Sequence, residues 1–415
     1  MTYTLAAPDA LPQADVIAKP RAASDIRIPA LDGLRGLMTL FVLYSHFFVE
    51  VPHGIGVFYL GWVAVIVFFV LSGYLVGRLI IEKKSAGNFL PIFYLRRICR
   101  TFPTYFLCAA LMLAIAECLR QETWMQGDAE LPAWSYFAFM QNYFILARQT
   151  NGLHWLSPTW TLALEEQFYI LAPFLFLFVP RRGWAPLLVV LCLAGVGLRA
   201  WGVLTGDISF APLTLLPASA DVLCVGMLLA VLVKLDVIPW KRWSLALRVA
   251  PIVGLLAVAA TQQLDGGAIG PWFQILGTFF TALASALFIL MLVKGAPEAA
   301  RFNSRLLRFF GNISYSVYLT HLAVLGLMHG VILHSAPDTA TPSQIFVTIA
   351  AIPVTIAIGW LLTRTLEQPI TEWGRGFGWC RTASVQALAL VCPGTTEAPQ
   401  PAAAAVIPPA REQTT

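Results

Sequence analysis

Charge is what this chain most lacks. Of 415 residues only 22 are Asp or Glu and 27 are Lys or Arg, 12% together, where an ordinary soluble domain carries about 25%. With 58% hydrophobic residues and a mean hydropathy of +0.73, too little polar surface remains for a water-soluble globule, and a bilayer is the expected solvent. Cysteine is present without pattern: the seven have neither metal-ligand nor disulfide spacing, so they read as small buried hydrophobes and no metal site is expected. An apolar core is missing from the first 28 residues, which are Pro/Ala-rich and carry Asp9, Asp15 and Asp25. That excludes a cleavable signal peptide, so the first membrane helix is expected to direct insertion. No internal repeat is visible in the sequence, and no appended catalytic domain is expected. The net charge of +5 matters less than its distribution, and no nucleic-acid partner is expected.

Long apolar runs are what is there. They lie near residues 36–49, 57–81, 102–119, 159–179, 184–203, 215–233, 244–261, 272–293, 313–333 and 345–365, which predicts an all-α, polytopic bundle of about ten transmembrane helices. The run 134–146 is apolar but short, and reads as interfacial. Basic residues test the count, because each real span moves the next loop to the other side. One set of loops holds Arg78, Lys83, Lys84, Arg96, Arg97, Arg100, Arg181, Arg182, Lys234, Lys241, Arg242, Arg248, Lys294, Arg301, Arg305 and Arg308; the other holds only Arg120, Arg148 and Arg199 while collecting most loop acids. The alternation puts both termini on the cytoplasmic side. Residues 1–28 and 376–415 read as disordered cytoplasmic tails around a membrane domain over 29–375.

Against this background the polar residues inside the spans need a reason. In "LDGLRGLMTLFVLYSHFF" Arg35 and His46 are eleven positions apart, roughly 16 Å along a helix, which carries His46 past the midplane. Arg35 alone also reads as a snorkelling anchor. "SPTWTLALEEQFYI" sinks Glu165 and Glu166 below the outer end of a span; Glu165, read at the depth of His46, is a candidate to orient the imidazole and raise its basicity. "GNISYSVYLTH" carries Tyr315, Tyr318 and His321 up one helix face, although tyrosine near an interface also serves as an aromatic anchor. Asp221 in "ASADVLCVGMLLA" reads as lining a cavity or paired to an arginine. In "YLRRICRTFPTY", Arg97 and Arg100 share a helix face, and arginine forks suit phosphate oxygens, although the positive-inside bias also places basic residues there.

These motifs resemble the membrane acyltransferase-3 family of bacterial O-acyltransferases. The likeness rests on Arg35 and His46, "VFFVLSGYLVG" with Ser72 and Gly73, Arg97 and Arg100 ahead of Pro103, "WTLALEEQFYIL" with Glu165, "GNISYSVYLTH" with His321, and "LEQP" with Glu367 and Pro369, in that order over about 28–373. The resemblance implies a ten-helix enzyme of the bacterial inner membrane that takes an acyl group, usually acetyl, from cytoplasmic acetyl-CoA to a hydroxyl of an envelope saccharide or glycolipid. No bound cofactor is implied; acyl-CoA is a co-substrate. By position His46 would be the catalytic base or acyl relay, with Glu165 beside it. Arg35, Arg97 and Arg100 would bind the donor, and Ser72, Tyr315, His321 and Asp221 would line the site. One departure concerns Asp221, which lacks a basic residue shortly before it. Two rival readings stay open: a transporter or flippase of a glycolipid or anionic small molecule, and a non-enzymatic partner of a polysaccharide export complex.

Overall fold

A computed structural model describes residues 28–56, 58–125, 130–206, 213–266 and 270–380. Ten long helices account for most of them: α1 (Pro29–Phe48), α2 (Leu60–Lys83), α3 (Phe89–Cys118), α4 (Trp160–Phe178), α5 (Trp184–Thr205), α6 (Leu216–Leu235), α7 (Ser244–Leu264), α8 (Thr278–Val293), α9 (Arg305–Leu333) and α10 (Pro342–Leu362). The described residues form no strand. Nine of these helices among the described residues, α2 to α10, are long and apolar enough to cross a membrane, α8 together with the π-helical turn Phe273–Gly277 that leads into it. The tenth expected span, α1, forms as a 20-residue helix, about 30 Å long, but Asp32, Arg35 and His46 lower its apolarity. The residues that make α1 interesting are the ones that weaken its membrane signal.

Helix direction alternates, giving the bundle two faces. One, the N-face, gathers the start of α1, the end of α2 and the end of α4, where Lys84 Nζ donates to the Phe176 carbonyl. The last described residues join it: Gly87 N donates to the Cys380 carbonyl, Asn88 Nδ2 to Gly378, and Arg96 Nη2 to Phe377. Residues 376–380, expected to begin a disordered tail, therefore dock on the start of α3, where Trp379 lies under the Arg96 guanidinium. The rest of both expected tails lies outside the described residues. The run 134–146 forms two short helices, Ala133–Phe137 and Gln141–Arg148, on the opposite far face.

Burial separates the helices by role. In α2 and α9, 67% of the membrane-length window is buried inside the protein, against 22% in α5 and α7, so the first pair is central and the second borders the lipid. Val190, Leu193, Leu245 and Leu256 are exposed, which suits hydrocarbon rather than water.

Close approach of α1 and α9 sets the register on which the site depends. They run side by side in the same direction, and small residues allow it: a Cβ on Gly33 would collide with the Phe302 carbonyl, one on Gly36 with that of Leu307, and one on Gly311 with that of Asp32. In lipid, where the hydrophobic effect gives no preference for helix contact, such glycine approaches supply the van der Waals packing. The glycines of "LDGLRG" and "GNISY" therefore bind the two motifs to each other.

Candidate active site

A cavity of about 920 Å³, counting its open mouth, lies between α1, α2, α3, α4 and α9. Toward the N-face its wall carries Arg35, Arg97, Arg100 and Tyr169. These arginines sit well inside the bundle: Arg35 is six residues into α1 and Arg97 eight into α3. Both are only half-buried, with guanidinium groups on a cavity wall instead of reaching out to headgroups. Val65, Phe68, Phe69, Leu75 and Leu162 form an apolar wall opposite. The combination suits a molecule with an anionic end and a slender neutral arm.

Tyr169 ties the polar side together. Its hydroxyl is 2.6 Å from Ser72 Oγ and donates to Glu165 Oε2 at 3.3 Å, while the Arg97 guanidinium lies 4.8 Å from its ring centroid. Glu165 lies within electrostatic reach of Arg100 and Arg35. Tyr315 Oη donates to the Thr101 carbonyl at 2.7 Å and so joins α9 to α3 beside the arginines. The π-helical turn Thr363–Glu367 that continues α10 brings Glu367 Oε2 to Ser316 Oγ, 2.8 Å, and Thr363 Oγ1, 3.1 Å.

Above this chamber the cavity closes. Tyr318 Oη donates to the Pro158 carbonyl at 2.9 Å and lies 2.8 Å from Thr161 Oγ1. Beyond that closure His46 Nδ1 and His321 Nε2 are 2.6 Å apart. The rings are nearly coplanar, 19°, with centroids 4.8 Å apart, the separation of an edge-to-edge N–H···N bond and not of face stacking. His321 Nδ1 lies 2.7 Å from the Tyr318 carbonyl, which can only accept. The proton of a neutral His321 is therefore on Nδ1, its Nε2 accepts from His46 Nδ1–H, and the lone pair of His46 is left on Nε2. A fully buried His321 thus fixes the tautomer of a His46 whose side chain stays 18% exposed.

The structure therefore divides the expected site residues. It brings together Arg35, Ser72, Arg97, Arg100, Glu165 and Tyr315 in one cavity, and His46 with His321 above it. Glu165 does not reach His46 as expected: His46 is two residues from the end of α1, whereas Glu165 is five residues into α4, so the carboxylate lies deeper, among the arginines. Asp221 does not line the cavity. It is clamped by Arg199, Nη1 to Oδ1 at 2.8 Å and Nη2 to Oδ2 at 2.7 Å. The basic partner missing just before Asp221 in sequence is on the preceding helix. Sequence reasoning passed over Tyr169 as a site residue and Glu50, whose Oε2 is 3.4 Å from His46 Nε2. The i,i+4 spacing of His46 and Glu50 was the available signal.

The chain is similar to known proteins over most of its length. The chain is 25% identical over 369 residues to the O-acetyltransferase OatA of Staphylococcus aureus strain NCTC 8325 / PS 47, covering 84% of this chain and 58% of that one. It is 26% identical over 369 residues to the peptidoglycan O-acetyltransferase OatA of Listeria monocytogenes, covering 84% and 56%, so it spans under two thirds of the length of these relatives. No solved structure matches it. The family model for an acyltransferase domain matches residues 28–364, four fifths of the chain, and the chain belongs to that acyltransferase family.

Proposed function

We propose that this membrane protein is an O-acyltransferase that carries an acyl group, acetyl first among candidates, from cytoplasmic acyl-CoA to a hydroxyl of a cell-envelope saccharide. The observation that carries the reading is the pairing of His46 with His321 above a chamber lined by Arg35, Arg97 and Arg100. The Lys/Arg alternation supports a cytoplasmic N-face in the inner membrane. Phosphates of the donor would bind the arginines, and the pantetheine arm would rise along the apolar wall of α2 to bring the thioester to the histidines, roughly 16 Å higher. The oriented Nε2 of His46 would take the proton of the incoming hydroxyl. The acetyltransferase names of the relatives support acetyl, and the Listeria relative supports a cell-wall glycan as acceptor.

The test is to incubate purified protein with labelled acetyl-CoA and envelope glycans. Acyl transfer releases free CoA and yields a heavier glycan; transport by a flippase in proteoliposomes returns the substrate unchanged on the other side. Retention of label in acetyl-CoA with active transport would replace the proposal by the carrier reading.

A further inference from the structure

Glu50 is the ionisable group nearest His46 that the proposed chemistry leaves unused. It stands in the loop after α1, one helical turn beyond His46, and its Oε2 is 3.4 Å from the lone-pair nitrogen Nε2. That is an ion-pair separation without hydrogen-bond alignment, and it lets a hydroxyl approaching from the side reach both atoms at hydrogen-bond distance. Surrounding elements hold the carboxylate there. Its backbone N–H donates to the Ser45 carbonyl at 2.8 Å, and the hydroxyl of Ser45 accepts from Gly61 N at 2.6 Å, pinning the start of α2 against the end of α1. Gly61 leaves the carboxylate space, since a Cβ there would stand 3.3 Å from Glu50 Oε1. The N-terminus of a 24-residue helix thus faces an anion, as its dipole favours. The groups facing Glu50 are His46 on α1, His154 ahead of α4 and the Tyr318 hydroxyl on α9, the last two within electrostatic reach of it; His321 on α9 stands behind His46.

Resting on the acyl-transfer reading, we infer that Glu50 is the carboxylate partner of His46, a positioning residue that stabilises its imidazolium and ties transfer to pH. The acceptor hydroxyl gives its proton to Nε2 as its oxygen bonds the thioester carbonyl carbon. The C–S bond breaks, and the departing thiolate takes that proton from the imidazolium. Glu50 is unchanged over the cycle; while the proton is on His46, the carboxylate offsets its charge. Partial enclosure pushes the Glu50 carboxyl up to about 7, His154 opposing. Below that pH the neutral acid can donate to Nε2 and occupy the lone pair, whereas above it the carboxylate leaves the lone pair free and favours its protonation.

The experiment is to compare wild type, Glu50→Gln and Glu50→Asp in detergent, with acetyl-CoA as donor and saccharide acceptor, from pH 6 to 8. The ¹⁵N signals of the His46 ring are followed in parallel, assigned by their loss in His46→Gln. Expected are a wild-type rate that rises through pH 7, a kcat roughly 10- to 100-fold lower in Glu50→Gln with donor KM unchanged, loss of the rise in Glu50→Gln, and partial recovery in Glu50→Asp. The His46 ring signals should step near pH 7 in wild type and not in Glu50→Gln. A Glu50→Gln enzyme with wild-type kcat and pH profile would overturn the inference. So would loss of activity in both variants while the ring signals keep their step, because Glu50 would then only hold the loop. If Glu50→Gln fails to fold, Glu50→Asp decides by the presence or absence of the ring step. Absence of acyl transfer by wild type would defeat the proposed function, and the ring signals would still report on Glu50.

Discussion

Two sets of arginines are sunk in this bundle, and they are kept there by opposite means. Arg199 is 0% exposed and its charge is clamped: both Nη atoms grip Asp221, Nη1 also donates to the Ala218 carbonyl, and Nε alone has no partner. Arg35, Arg97 and Arg100 are half-buried on a cavity wall, with Glu165 within electrostatic reach of all three. The contrast teaches that a charge within a membrane span signals function only when its donors point into space. A closed bidentate pair is a structural joint, here between α5 and α6.

The comparison extends to the histidines, and the largest expected effect tests it there. His46→Ala should lower acyl transfer by about 10² to 10⁴ while the protein inserts normally, checked by CoA release from purified protein. Wild-type rates would move the chemistry elsewhere in the cavity. Next comes the closed pair. Asp221→Ala strands a buried guanidinium and should cost about 3–5 kcal/mol of stability, whereas Arg199→Met with Asp221→Leu should come close to neutral. Thermal unfolding in detergent measures both, and kcat per folded molecule should stay at the wild-type value. A catalytic defect in the stable double variant would erase the distinction between the two arginine sets. Third, Arg97→Ala with Arg100→Ala should raise the acyl-CoA KM by at least roughly 100-fold, since each hydrogen bond to a charged group is worth about 1.5–3 kcal/mol. The exposed pair Arg305 and Arg308, changed in the same way, should leave it unaltered. Equal effects would return Arg97 and Arg100 to the role of membrane anchors.

How much of this could be read from the chain follows from the range of the forces involved. Helices and spans were legible because hydropathy is local, and even the one weak span, α1, is weak for a readable reason. Arg35, Arg97, Arg100, Ser72 and Glu165 were legible as polar intrusions, though not their common wall. The bond from His46 to His321 joins residues 275 apart in sequence and depends on the α1–α9 register set by Gly33, Gly36 and Gly311, so counting residues along one helix could not reveal it. Glu165 was misplaced for that reason: depth counted from unknown helix ends carries an error of a turn, which is the distance between orienting an imidazole and facing an arginine. Arg199 was counted as a loop charge because its partner lies on the next helix.

The smallest effect belongs to the closure between the two regions. Tyr318 touches both: its hydroxyl bonds Pro158 and Thr161 over the chamber, while its carbonyl holds the proton of His321. Tyr318→Phe removes the first function and keeps the second, so the tautomer of His46 should survive. A hydroxyl bond of this kind contributes about 0.5–1.5 kcal/mol, which sets the scale at a few-fold change. If the donor arm must part Tyr318 from Pro158 to reach His46, the variant should release CoA a few-fold faster than wild type, with the surplus appearing as hydrolysis to free acid because water gains the same route. The ratio of free acid to acylated glycan measures this without reference to expression level. A slower enzyme with an unchanged ratio would make the Tyr318 hydroxyl a participant in transfer, and the boundary between chamber and histidine pair would dissolve into a single site.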